Sequence, residues 1–298
     1  AVSIASLAKD KYNSGDGFAA LVATAASSGG LSVSTVWTAS SSDVAAPFVV
    51  AGGGSASAVA GRLRAVVGLG WLTEGSAYKL RLTATDSDGS SAYAEVSLAM
   101  NTAPSSGSVE VAPPTGFALE TAFALSALNW VDEDLPLAYV FGTAAVLRDG
   151  SVDASALFPF GSAGGDAFAA GVTLPAGTNA TNYTVGCFAE VVDSYGASGS
   201  ATAAASVRSK PLTVAQLANI SATRAAEALD SGDADGAKQV LAATTEGMKT
   251  ATTEEPPGRR RARALLAVEG EAEALRAAVL ASLWETYAIT PVTQADVA

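Results

Sequence analysis

Histidine is absent from this 298-residue chain, and cysteine occurs once, at Cys187. The first absence removes the commonest general base and the commonest protein ligand for zinc. The second excludes an internal disulfide. The expectation for Cys187 is a buried thiol on a strand, with a bridge to another chain as the alternative. Charged residues make up only 15% of the sequence, and Asp and Glu outnumber Lys and Arg by 29 to 17, a net charge of −12. The shortage of basic residues argues against nucleic acid and anionic membrane surfaces as partners, since both need a basic footprint. No run of about 18 uncharged apolar residues occurs, so no segment reads as a membrane span. No charged segment followed by an apolar one opens the chain. The expectation is therefore a mature product or a piece of something longer.

What is abundant is small. Hydrophobic residues are 49% of the chain, but many are Ala, and Ser, Thr and Gly fill much of the remainder. That mix suits β-sandwiches with polar loops better than an enzyme of the cytosol. The length fits two or three domains.

Residues 1 to 100 read as all-β. Phe18–Thr24 and Leu31–Thr38 are expected strands, the second carrying Trp37 as a central buried tryptophan of a middle strand. Ser40–Gly61 is a long stretch rich in Ser, Gly and Ala. Within it Ala51–Gly61 reads as a mobile loop and not as a phosphate cradle, because it lacks a P-loop lysine and the flanking elements of a dinucleotide fold. From Tyr78 to Ala84, apolar residues alternate with Lys79, Arg81 and Thr83, so one face of a strand is buried. Asp86-Ser87-Asp88-Gly89 supplies the turn, and Ala92, Ala94, Val96, Leu98 and Met100 share one parity on the return strand. Leu72 to Tyr78 predicts a tyrosine corner, with the hydroxyl bonded back to the backbone. The same order recurs as Leu174, Gly177, Tyr183 and Asp193-Ser194-Tyr195-Gly196. Two copies separated by about 100 residues predict tandem sandwiches.

Between the copies, Asn101 and Pro104 end the first domain. Val109 and Val111 open the second, and Thr121, Phe123, Leu125 and Ala127 share one parity. Trp130 and the acids Asp132, Glu133 and Asp134 follow. Asp132 and Asp134 are weak candidates for calcium, which needs more oxygens than one turn offers. The alternative is a solvated loop accepting backbone N–H bonds. After Val207 the period changes to helical. Thr213 is an expected cap, Asp230–Gly236 an inter-helix turn and Ala237–Lys249 a second helix. In an EF-hand register, Ala242 stands where Glu is required, so that motif is rejected. A third helix is read from Leu265 through Val268, Ala272, Leu275, Val279 and Leu283, with Trp284 and Tyr287 as anchors. The basic run Arg259–Arg263 precedes it. Asn179, Asn182 and Asn219 each open an N-glycosylation sequon.

Asn101, Pro104, Gly107, Val109, Pro113, Gly116, Thr121, Phe123, Trp130, Asp132, Pro136, Leu137, Tyr139 and Phe141, with Asp193-Ser-Tyr-Gly-Ala197, resemble a receptor-for-egg-jelly (REJ) module of polycystin-one-type membrane proteins. The resemblance covers roughly residues 70–210. It implies an extracellular location, on a ciliary or gamete surface. The family often carries a Cys just before the Trp. Ala127 and Leu128 stand there in this chain, which leaves Cys187 without the family's partner.

Together these features predict two tandem fibronectin-III/Ig-like antiparallel β-sandwiches, at 1–100 and 101–208, followed by a helical subdomain of about three helices at 209–298. No catalytic constellation and no cofactor is expected. The expected role is a spacer, adhesion or mechanical module on the extracellular face of a cell or ciliary membrane, with other extracellular domains or a protein or glycan ligand as partners. A filament or cell-wall subunit is the alternative. A carbohydrate-binding module ranks lower, because most aromatics fall on core parity. A glycosidase using Asp132 or Asp134 ranks lower still, for want of an opposed second acid.

Overall fold

The computed structural model of the chain describes residues 1–40, 48–49 and 60–250. They divide into two units: Ala1–Ala103 with Asp193–Ala197, and Pro104–Val192 with the chain from Ser198 onward. The third expected helix and the basic run before it lie outside the described residues.

The strands of the first unit are β1 (Val2–Ile4), β2 (Lys11–Tyr12), β3 (Phe18–Ala26), β4 (Val33–Ser40), β5 (Phe48–Val49), β6 (Ala60–Gly68), β7 (Ala77–Asp86) and β8 (Ser91–Met100). They form two sheets, ordered β1-β3-β6-β5 and β2-β8-β7-β4. Alternation sets the inner faces. Ala19 and Leu21 of β3, Ala65 and Val67 of β6, Tyr78 and Leu80 of β7, and Leu98 and Met100 of β8 meet in one core. Each fully buried Leu in that layer contributes about 1.5–3 kcal/mol.

Tyr78 forms the expected corner, its Oη accepting the Thr73 N–H at 2.9 Å. Two expectations change. Trp37 packs half-buried from β4, an outer strand of its sheet, and not from a middle one. The end of the segment read as a loop, Ala60 and Gly61, opens β6, and Phe48–Val49 just before that segment pairs with β6.

The second unit contains β9 (Ser108–Ala112), β10 (Thr115–Phe117), β11 (Phe123–Leu128), β12 (Ala138–Val146), β13 (Val152–Pro159), β14 (Phe168–Val172), β15 (Thr184–Val192) and β16 (Ser198–Arg208). A three-stranded sheet, β14-β11-β9, and a five-stranded sheet, β10-β16-β15-β12-β13, enclose a core. Phe123, Leu125, Leu174, Val185, Cys187, Val191 and Val207 belong to it. Two short pairings depart from the antiparallel rule: β2 with β8 and β10 with β16 are parallel. A Cβ at Gly107 would stand 2.0 Å from Trp130 Cδ2, so the indole occupies the space that any side chain at 107 would need.

Helices α1 (Val214–Asp230) and α2 (Ala234–Thr250) follow. The Gln216 N–H donates to Thr213 Oγ1 and the Thr213 N–H to Gln216 Oε1, a reciprocal capping box. Gly232, at φ 78°, ends α1, and the Gly236 N–H bonds to Asp233 Oδ1 at 2.7 Å as α2 begins. The inter-helix turn is thus Ser231–Asp233, shorter than the expected Asp230–Gly236, because Asp230 closes α1 and Ala234–Gly236 already belong to α2. Leu217 and Ala225 of α1 pack with Val240 and Ala243 of α2 against Leu119. Gln239 Oε1 accepts the Thr173 N–H at 3.0 Å, which fastens α2 beside β14.

Candidate functional site

Asp132 and Asp134 occupy a turn between β11 and β12. The Asp134 N–H donates to Asp132 Oδ1 at 2.6 Å, which is the backbone-accepting role open to a short acidic side chain in a turn. An oxygen of each lies within 4.8 Å of the other. Both are half-buried and Glu133 is exposed. Two carboxylates from one turn supply fewer than the six to eight oxygens that calcium takes.

The two recurring Asp turns share one geometry. Asp86 Oδ1 accepts the N–H groups of Asp88 and Ser90, and Asp193 Oδ1 accepts those of Tyr195 and Ala197. Gly89 and Gly196 take positive φ, 86° and 85°, which glycine adopts without a Cβ penalty. In the first unit the Asp193 turn carries an additional polar network. Asn101 Nδ2 donates to Asp193 Oδ2 at 2.6 Å and to Asn13 Oδ1 at 2.9 Å, and Asn13 Nδ2 donates to the Tyr195 carbonyl at 2.8 Å. Asp193 is 6% exposed and Asn101 1%. Asn101 Oδ1 has no hydrogen-bond partner. In sequence Asn101 signalled only the end of a strand, because its partners lie 88 and 92 residues away.

The parallel pairing of β10 with β16 builds a second feature in the other unit. Thr115 pairs with Ser206 and Phe117 with Arg208. Side chains two residues apart share a face of a strand, so Thr115, Phe117, Ser206 and Arg208 stand together. They line a cleft of about 580 Å³ completed by Pro113, Gly116 and Thr121. The Arg208 guanidinium lies over the Tyr183 ring, 4.8 Å from its centre, and Lys210 Nζ is 5.1 Å from the centre of the Phe117 ring. Lys210 pairs with Glu120. Among the described residues no carboxylate pairs with Arg208. Tyr183, expected to mirror Tyr78, differs from it: φ at Tyr183 is 61° and its backbone packs against Gly177.

Aromatics are less confined to the core than their parity implied. Phe117, Phe158, Phe168, Trp71 and Tyr93 are all exposed. Of the sequons, Asn179 and Asn182 are exposed, in and just after a short 3-10 turn. Asn219 is exposed on α1, while its sequon Ser221 is buried and accepts from Thr244 Oγ1 at 2.7 Å. Cys187 is a free thiol with no exposed surface, and burial pushes its pKa up to about 12. Among the described residues, no helix is long and apolar enough to cross a membrane.

The sequence model of one family, the REJ domain, matches residues 9–243, a wider span than the motif residues alone cover. No curated protein matches in sequence. Several solved structures share a coarse likeness. Murine CEACAM1b is 10% identical, covering 70% of this chain and all of its own, with a TM-score of 0.28. A bacterial ice-binding adhesin is 11% identical, covering 72% and 66%, with a TM-score of 0.33. The N-terminal Ig1-2 module of the Drosophila receptor protein tyrosine phosphatase DLAR is 11% identical, covering 70% and 98%, with a TM-score of 0.24.

Proposed function

Because this chain belongs to the REJ domain family, we propose that it is a non-catalytic extracellular module of a polycystin-like receptor or ciliary surface protein, acting as a spacer and adhesion element. The observation that carries this reading is the REJ match over residues 9–243, which takes in all but the first strand of the sandwiches, α1 and the first part of α2. The polar side chains support it in kind. Asp86, Asp132 and Asp193 each accept backbone N–H bonds in turns, which is structural work and not acid–base chemistry. The exposed sequons at Asn179 and Asn182 are compatible with passage through a secretory pathway.

Antibodies raised against the chain test the location. Labelling of intact, non-permeabilised cells is expected; labelling only after permeabilisation would end the reading. Peptide-N-glycosidase treatment of the native protein is expected to lower its mass, with the attachment at Asn179 or Asn182. Light scattering separates a discrete module from a filament subunit, which would polymerise.

A further inference from the structure

We propose that the cleft along β10 binds a carboxylate-bearing saccharide, with Arg208 receiving the carboxylate and Phe117 the apolar face of the sugar ring. Arg208 presents a planar fork of N–H donors that matches a carboxylate in two-point geometry. Its guanidinium is already held over the Tyr183 ring, and no described carboxylate competes for it. Phe117, 40% exposed, stands beside it in the strand register. The hydroxyls of Thr115 and Ser206 form the neighbouring row, suited to a ring that carries hydroxyls of its own. The cleft, about 580 Å³, lies in the range of small-ligand sites.

Two observations narrow the ligand. A peptide added as a further strand would need outward N–H groups on β10. The Phe117 N–H is already bonded to Thr121 Oγ1 at 2.9 Å, and strand addition depends on such main-chain bonds. A polyanionic chain is disfavoured by a net charge of −12. A sugar carrying a single carboxylate meets Arg208 without crossing a wide acidic surface.

The inference names a ligand for the adhesion role and rests on that reading. The test uses the full chain made in bacteria, so that no attached glycan fills the cleft, titrated in ¹H–¹⁵N spectra with sialyllactose, methyl glucuronide with its single free carboxylate, and neutral lactose. At least one acidic sugar is expected to shift the Phe117 and Arg208 amides, with lactose leaving them unmoved. Arg208→Gln is expected to weaken that binding at least tenfold and Phe117→Ala to weaken it severalfold, both with an unchanged melting temperature. Arg208→Lys, which keeps the charge and loses the fork, is expected to fall between. Binding by neither acidic sugar, equal binding of lactose, undiminished binding by Arg208→Gln, or equally tight binding of an Ala-Glu dipeptide would each overturn the proposal. Cell-surface labelling that persists in such a case would show that the ligand is wrong while the location stands.

Discussion

The two recurring Asp turns make an internal experiment. Asp86 and Asp193 hold the same pair of backbone N–H groups, at 3.1 and 3.0 Å in one turn and 2.8 and 2.9 Å in the other. They differ in surroundings. Ser87–Ser90 of the Asp86 turn are exposed, so water can reach the N–H groups if the carboxylate is removed, and Asp86→Ala should cost about 1 kcal/mol. Asp193 is 6% exposed and also accepts from the buried Asn101 Nδ2 at 2.6 Å. Asp193→Ala strands three donors, of which the amide has no route to solvent. Each buried donor left without a partner costs about 1–3 kcal/mol, and the sum is less than additive, so about 3–5 kcal/mol is expected.

Calorimetry of the full chain checks this, because two units need not unfold in one step. For a unit of about 100 residues, each kcal/mol moves the midpoint by about 4–8 °C. The first unit's transition should therefore fall by at least about 10 °C more in Asp193→Ala than in Asp86→Ala. Asp193→Asn, which keeps an acceptor for the backbone but sets an amide group against Asn101 Nδ2, should lie between. Equal losses for the two alanine variants would refute the claim that burial of the Asn101–Asp193 bond matters more than the turn itself.

Three further outcomes follow from the packing. Gly107→Ala forces the Trp130 indole to move, with an expected loss of about 2–4 kcal/mol; denaturant titration of Gly107→Ala with and without Trp130→Leu should show the second change relieving the first. Tyr78→Phe leaves the Thr73 N–H unpaired and should cost about 1–2 kcal/mol by the same titration. Cys187, whose pKa of about 12 leaves almost no thiolate at pH 8, should resist iodoacetamide in the native protein and react on unfolding, as read by intact mass.

Strand grammar was legible wherever one face is buried and the other wet. Tyr78, Leu80, Leu82 and Ala84 are all buried as their alternation required, and the Asp-Ser-x-Gly turns fell where they were read. The outer strands were not legible. On β13 the burial pattern does not alternate, and Phe168 of β14 is exposed although it is large and apolar. Such strands pair on one side only, so little selects their parity. Pro113-Pro114-Thr115-Gly116 has the composition of a turn, and the strand partner of Thr115–Phe117, Ser206–Arg208, lies about 90 residues further on. No local periodicity records a three-residue parallel pairing at that range. The cleft was therefore invisible in sequence: the last strand read as ending at Val207, one residue short of Arg208, and Phe117 was one aromatic among several.

Arg208 also shows how an exposed residue can be prepared for a ligand. A free arginine on a strand end samples many rotamers, and fixing it on binding costs about 0.5–1.5 kcal/mol. The Tyr183 ring, 4.8 Å from the guanidinium, meets that cost in advance. Tyr183 itself is held by its N–H bond to the Thr178 carbonyl at 2.7 Å and by the Val207 N–H donated to its own carbonyl at 2.9 Å. Tyr183→Phe keeps the ring and should leave saccharide affinity unchanged. Tyr183→Ala releases the guanidinium and should weaken binding about threefold to tenfold. Equal affinity in the wild type and Tyr183→Ala, measured by the same amide titration, would show that the stacked arrangement contributes nothing and that Arg208 acts as an unconstrained surface charge.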